Sequence, residues 1–161
     1  MLKRSAGILI YKKDGEDYKV LLCHMGGPYW RHVDSGAWSL PKGMVDSSKE
    51  RVIDTALREF NEETGFSISR GELSYLGSKK QASYKLVIVF TACHDYDVTL
   101  AKSNTFVKEW PKNSGCFCQF PEMDQASWFT LDEAQEKIIK GQAYFLKRLR
   151  QRLGSHIENN A

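Results

Sequence analysis

A mixed α/β (α+β) domain is the fold this sequence predicts, and three observations carry the prediction. Short apolar stretches of strand character outnumber helical ones and alternate with them, the pattern of a mixed sheet packed against helices. One segment, 47 to 64, switches to a helical period, with Val52, Ile53, Ala56, Leu57 and Phe60 recurring at i, i+3, i+4 spacing. The 161 residues fit one core, and no linker, repeat or low-complexity tract interrupts them, so 1–161 reads as a single domain.

In chain order, "AGILIY" and "YKVLLCH" read as strands joined by the polar "KKDGED", whose Asp14-Gly15 signals a hairpin. The paired glycines and Pro28 make "HMGGPYWRHVDSG" a loop, and "AWSLPKG" reads as a short strand entering a turn. Ser47-Ser48-Lys49-Glu50 has the form of a capping box at the start of the 47–64 helix. Gly65 fits the position just past its end, where a positive φ closes the helix. Beyond it, "LSYLGSKKQ", "KLVIVFTACH" and "YDVTL" are strand-like. Residues 102 to 122 form a long polar segment with turns at Trp110-Pro111 and Asn113-Ser114-Gly115. "ASWFTL" is a last short strand, Thr130 with Glu133 caps a helix to about Ile139, and Gly141 separates that helix from a terminal one.

Composition narrows the function. At 42% hydrophobic, 27% charged and a net charge of +3, the chain has the balance of a soluble globular protein rather than of a polyelectrolyte built for nucleic acid. Much of the excess charge lies in "LKRLRQRLGSH", read as a terminal amphipathic helix with a solvated basic face. The first apolar run is too short for a signal peptide core or a membrane span, so the expectation is a cytoplasmic protein with no membrane partner. Cys23, Cys93, Cys116 and Cys118 form no C-x-x-C pair, which argues against zinc and for reduced, buried thiols.

The chemistry concentrates in "LREFNEETGF". Glu59, Glu62 and Glu63 crowd the last turn of the 47–64 helix, where the carbonyl ends disfavour acids and the i, i+4 pair Glu59/Glu63 repels. On a helical wheel the three lie within about 100° of each other, beside the apolar face rather than opposite it. Carboxylate oxygens so placed suit a hard divalent cation. Without a cation, the same face is an acidic stripe in which Arg58 pairs with Glu62 at i+4.

The stretch "GMVDSSKERVIDTALREFNEETGF" resembles the Nudix box, G-x5-E-x7-R-E-U-x-E-E-x-G-U with U a bulky apolar residue. Gly43, Glu50, Arg58, Glu59, Phe60, Glu62, Glu63, Gly65 and Phe66 match in identity and order, and from Glu50 to Phe66 every spacing agrees. Six residues rather than five separate Gly43 from Glu50, an extra residue placed in the loop before the helix. The resemblance implies an α/β/α sandwich with a mixed sheet and a loop-helix-loop box at 43–66. It implies an enzyme that hydrolyses a nucleoside diphosphate linked to another moiety, X, with magnesium or manganese. Glu59, Glu62 and Glu63 would be the metal ligands and Arg58 would orient a glutamate. Glu50 is divided between the capping box and a metal contact. The general base would be Glu59 in the box or a glutamate of a later loop, for which Glu122 in "QFPEMDQASWF" is the candidate, with Glu109 and Asp124 as substitutes.

The substrate is less legible. "WSLPKG", "YDV" and the Glu122–Trp128 spacing resemble the diadenosine tetraphosphate hydrolases of the family, which would set Lys42 against phosphates and Tyr84, 18 positions past Phe66, against a base or, equally, against the sheet. The long 102–122 segment and the "GGPYWRHVDSG" loop are closer to a group of bacterial Nudix proteins. There Tyr29, Trp30 and Arg31 are either a base-stacking, phosphate-binding wall or packing beneath the loop. A dinucleoside polyphosphate or nucleoside triphosphate is the expected substrate, with RNA 5′-end processing and a catalytically silent nucleotide sensor as the alternatives. A monomer or homodimer with no stable nucleic-acid partner is expected, since this length leaves no room for a DNA-binding domain.

Overall fold

Nine strands and three helices make up the described residues, 1–159, of a computed structural model in which side chains are described as far as Gly154. Strands β1 (Lys3–Asp14) and β2 (Asp17–Met25) form the predicted hairpin, with Asp14 facing Asp17 across the turn. The short β3 (Trp38–Ser39) and β4 (Lys42–Met44) follow, then helix α1 (Val52–Thr64). A second antiparallel pair, β5 (Ser74–Ala82) and β6 (Lys85–Cys93), precedes the small hairpin of β7 (Thr105–Glu109) and β8 (Phe117–Pro121). Strand β9 (Met123–Thr130), α2 (Leu131–Lys137) and α3 (Ala143–Asn159) complete the chain.

Seven strands share one mixed sheet. Its order is β3-β2-β1-β6-β5, with β9 on the far edge of β2 and β4 on β1. The pairing of β1 with β6 is parallel, from Lys3↔Lys85 to Tyr11↔Cys93. Alternation along β1 sends Ala6, Ile8 and Ile10 towards α1, where they pack with Leu21, Cys23, Ala56 and Phe60. Leu9 points the other way, to a core shared by Val87, Val89, Leu76 and the helical residues Ala134, Phe145, Leu146 and Leu149. The result is the α/β/α sandwich the resemblance implied. The sheet carries α1 on one face and α2 with α3 on the other. No described helix is long and apolar enough to cross a membrane.

Several expectations are corrected. "YDVTL" is no strand: the Asp97 side chain accepts from Thr99 N–H and closes a 3-10 turn over Val98–Leu100. The polar segment 102–122 holds the β7–β8 hairpin, in which Phe106 and Phe120 face each other in register while Val107 and Phe117 are exposed. Cys23 alone is buried; Cys93, Cys116 and Cys118 are exposed and unpaired. The basic face of α3 is not simply solvated. Arg150 pairs with Asp132 at 2.7 Å, and Arg152 donates to Ser74 Oγ and Tyr75 O. The end of the quoted basic stretch, Ser155 and His156, lies outside the described side chains. Thr130 caps α2 as predicted, accepting from Glu133 N–H.

One long-range tie positions the box strand. Gln142, 1% exposed, accepts from Leu40 N–H with Oε1 and donates from Nε2 to Ser39 Oγ. Ile139 N–H adds a bond to Trp38 O. The turn leading into α3 thereby fixes the segment that delivers Lys42 and Gly43.

Candidate active site

Helix α1 begins at Val52, and its N-cap residue, Arg51, makes no side-chain cap. The capping box at 47–50 does not form. Asp46 instead closes its own turn, accepting from Ser48 N–H and Oγ, and that turn absorbs the residue inserted before Glu50. Glu50 gives both carboxylate oxygens to Arg58, to Nε at 3.2 Å and Nη2 at 2.7 Å. Glu50 is thus an anchor for Arg58 rather than a helix cap, and its carboxyl is held below the usual range by that bond.

Arg58 Nη1 also donates to Glu59 Oε1 and Glu62 Oε2, each at 3.0 Å. One planar guanidinium therefore holds three carboxylates, a geometry that a lysine ammonium cannot copy. Burial deepens along the stripe: the side chains of Glu62 and Glu59 are 35% and 13% exposed, and Glu63 is 7% exposed. At the helix end, Gly65 takes φ 77°, where other residues are strained, and its N–H returns to Asn61 O.

Strand β4 supplies the facing wall. Lys42 N–H donates to Glu63 Oε2 at 3.1 Å. A Cβ at Gly43 would stand within the Glu59 carboxylate, so the missing side chain is the seat of that group. This gives Gly43 a steric role despite the extra loop residue. Glu122 comes in from the far side by backbone bonds: its N–H donates to Asn104 O, Asn104 N–H donates to Glu62 O, and Gly26 N–H donates to Glu122 O.

The electrostatics follow from this crowding. Burial, reinforced by Glu59 and Glu122, pushes the Glu63 carboxyl up to about 8 against the opposing Lys42 amide. Glu59 is raised by burial and by Glu62 and Glu122, although Arg58 opposes the shift. Glu122 is raised by its packing and by Glu62. Four carboxylates thus feel one another's charge. Lys42 is lowered by burial and by Lys85, a neighbour the sequence reading did not identify.

The donor set suits a hard divalent cation, being carboxylate oxygen throughout. Glu59, Glu62 and Glu63 each engage one oxygen with Arg58 or the Lys42 amide, which leaves the second for another ligand. Among the described residues, no three His, Cys, Asp or Glu side chains already stand gathered as a ligand set.

Glu63 lines a cavity of about 620 Å³ with Cys23, Lys102, Ser103, Met123 and Asp124. The other predicted binding residues are spread around it. Tyr84 is in the β5–β6 turn and 59% exposed, so it does not pack on the sheet; its neighbour Lys85 is the charge that reaches Lys42. Arg31 is exposed and lines a second cavity of about 380 Å³ with His24, His32 and Asp124. Trp30 packs on the core and follows the packing reading, whereas Tyr29, 57% exposed, meets Trp110 edge-on at 5.2 Å. Of the substitutes for Glu122, Asp124 is taken by His24 at 2.7 Å, and Glu109 lies in β7 opposite Phe117.

Several known proteins are similar to this chain. A bis(5′-nucleosyl)-tetraphosphatase (asymmetrical) of Rattus norvegicus is 43% identical over 75 residues, 41% of this chain and 48% of the relative. A protein of Acanthamoeba polyphaga mimivirus, provisionally named as an mRNA-decapping protein, is 29% identical over 111 residues, 69% of this chain and 28% of the relative. The chain thus spans less than half the length of these curated relatives. Among solved structures, the NUDIX domain of Shewanella oneidensis NrtR complexed with ADP ribose superposes with a TM-score of 0.67 at 17% identity, over 95% of this chain and 89% of that one. A C. elegans Ap4A hydrolase gives 0.62 at 19% identity, over 94% and 98%. At these identities the superpositions speak for the fold. A NUDIX domain model matches residues 1–149, and with the box geometry above, the chain belongs to the NUDIX domain family.

Proposed function

We propose that this chain hydrolyses a pyrophosphate linkage in a nucleoside diphosphate–X substrate, a dinucleoside polyphosphate or a nucleoside triphosphate. The observation that carries the reading is the cluster of four crowded carboxyl groups, Glu59, Glu62, Glu63 and Glu122, whose charges repel one another when ionised, beside a cavity that Glu63 lines. Repulsion of this kind is relieved by a divalent cation, and magnesium or manganese would be held by Glu59, Glu62 and Glu63. When bound, such an ion neutralises phosphate oxygens and makes a water acidic enough to attack at neutral pH. The residues of the chain supply the rest. Arg58 aims Glu59 and Glu62, Lys42 faces a phosphate, and Glu122 or Glu59, with raised proton affinity, accepts the proton of the attacking water.

The basic face of α3 is weak support for RNA 5′-end processing, because Arg150 and Arg152 are engaged with Asp132 and β5. The test is a panel of dinucleoside polyphosphates, nucleoside triphosphates, ADP ribose and 5′-triphosphorylated or capped RNA with magnesium, read by product identity. Absence of turnover across the panel defeats the enzyme reading and leaves the nucleotide sensor.

Two variants probe the roles. Glu122→Gln is expected to lower kcat by about 10²-fold, the low end for loss of a general base. An unchanged rate returns the base role to Glu59. Arg58→Lys keeps the charge but loses the fork, so metal affinity is expected to fall about 10–100-fold, read by metal titration. Wild-type affinity there removes the aiming role from Arg58.

A further inference from the structure

His24, near the end of β2 and 8% exposed, stands between two acceptors. Its Nδ1 lies 2.7 Å from Asp124 Oδ1, and its Nε2 lies 2.6 Å from Val33 O. The ring is set edge-on against Trp38 at 5.1 Å. A carboxylate and a backbone carbonyl only accept, whereas a neutral imidazole carries one N–H. Both contacts are hydrogen bonds together only when the ring carries both protons. With one proton fewer, a nitrogen lone pair confronts an oxygen lone pair at hydrogen-bond distance.

The two partners belong to different parts of the site. Asp124 lies two residues past Glu122, whose carbonyl is already held by Gly26 N–H from the same end of β2. Val33 belongs to the 26–37 loop, which also carries Arg31 and His32. The 380 Å³ cavity between loop and strand shares Asp124 and Gln125 with the larger cavity that Glu63 lines. Asp124 faces it from β9. Asp34 faces it from the loop and is itself paired with Lys137 of α2 and with Trp38 Nε1. Arg31 and His32 line the open side, and Arg31 has no ion pair among the described residues.

We propose that His24 is a positioning residue: its imidazolium latches the Arg31-bearing loop to β9, and loss of one proton opens the latch. The remaining proton stays on Nδ1, since a bond to a carboxylate is stronger than one to a neutral carbonyl. The contact that breaks is therefore the one to Val33 O, and the loop moves away from β9. The effect on catalysis rests on the hydrolase reading; the latch itself does not.

The experiment follows the ring nitrogens of His24 and the amides of Arg31 and Val33 by NMR across pH 5–9, alongside kcat and KM on the best substrate of the panel. The expected result is a ring with two protons at the acid end, loop amides that shift with the same midpoint as the ring, and a KM that rises about 10-fold through that midpoint while kcat holds. Asp124→Asn is the conservative control. Its amide donates to Nδ1 of a neutral ring, whose Nε2–H then keeps Val33 O, so the loop step is expected to vanish. A ring with one proton throughout, loop amides that ignore the ring, or a wild-type step in Asp124→Asn overturns the latch. If the chain hydrolyses nothing, the hydrolase reading falls while the NMR arm still decides the latch.

Discussion

Glu63→Gln is expected to lower kcat/KM by about 10³-fold or more while leaving the metal-free protein at least as stable as the wild type. The two effects have one origin. Glu63 is buried beside Glu59 and Glu122, and its carboxyl is pushed up to about 8, so without a cation it is protonated through neutral pH. A glutamine is a close copy of that neutral state and still accepts the Lys42 N–H bond. It lacks the charge that a cation needs, and losing about 4 kcal/mol of charge stabilisation corresponds to about 10³ in rate.

The same shift sets a pH dependence. Below about 4.5, the ordinary glutamate value, folded and unfolded chains both keep the proton and the native state has its full stability. Between there and about 8 the unfolded chain ionises and the native one does not, so stability falls as pH rises. The loss from this group is on the order of a few kcal/mol and is complete above the folded value. Urea melts in chelator are expected to show this decline in the wild type and a shallower one, left by Glu59 and Glu122, in Glu63→Gln. A wild-type curve that rises across the same range would remove the buried neutral carboxyl from the account.

Gly43→Ala is expected to cost about 10²-fold in activity with a change in stability under about 1 kcal/mol. The new methyl falls on the Glu59 carboxylate, which is the mobile end of a side chain and can swing aside at small cost. What is lost is its place: Glu59 leaves the Arg58 Nη1 bond and the wall beside Lys42, and displacement of a reacting group by about 1 Å is worth about 10². Thermal melts paired with kinetics separate the outcomes. A large loss of stability with activity retained per folded molecule would show that Gly43 serves the strand rather than the site.

How much of this was legible in the sequence depended on the range of the interactions. The box helix was legible because its apolar period, its glutamate stripe and Gly65 are all local signals. Glu50 was misread because Ser-x-x-Glu is also a capping pattern, and nothing local says that Arg58, eight positions on, captures both of its oxygens. The β7–β8 hairpin was hidden because its strands are short and largely exposed, with Cys118 and Gln119 where a buried strand would show apolar residues. "YDVTL" has strand composition, but one Asp97 hydrogen bond turned it. His24 looked like the last residue of a strand. Its partners, a carboxylate 100 positions away and a loop carbonyl, leave no trace in composition or spacing.

The two bonds of the Gln142 side chain have a consequence for the order in which the protein comes into being. Ser39 leaves the ribosome 103 residues before its partner, roughly 5 to 20 s earlier at ordinary synthesis rates. Through that interval the glutamate helix can wind, yet the strand that seats Glu59 and holds Glu63 lacks its outer brace. The glutamate helix of the box is encoded early and its seat finished late, and a nascent chain stopped short of residue 142 carries the whole box without the Gln142 brace.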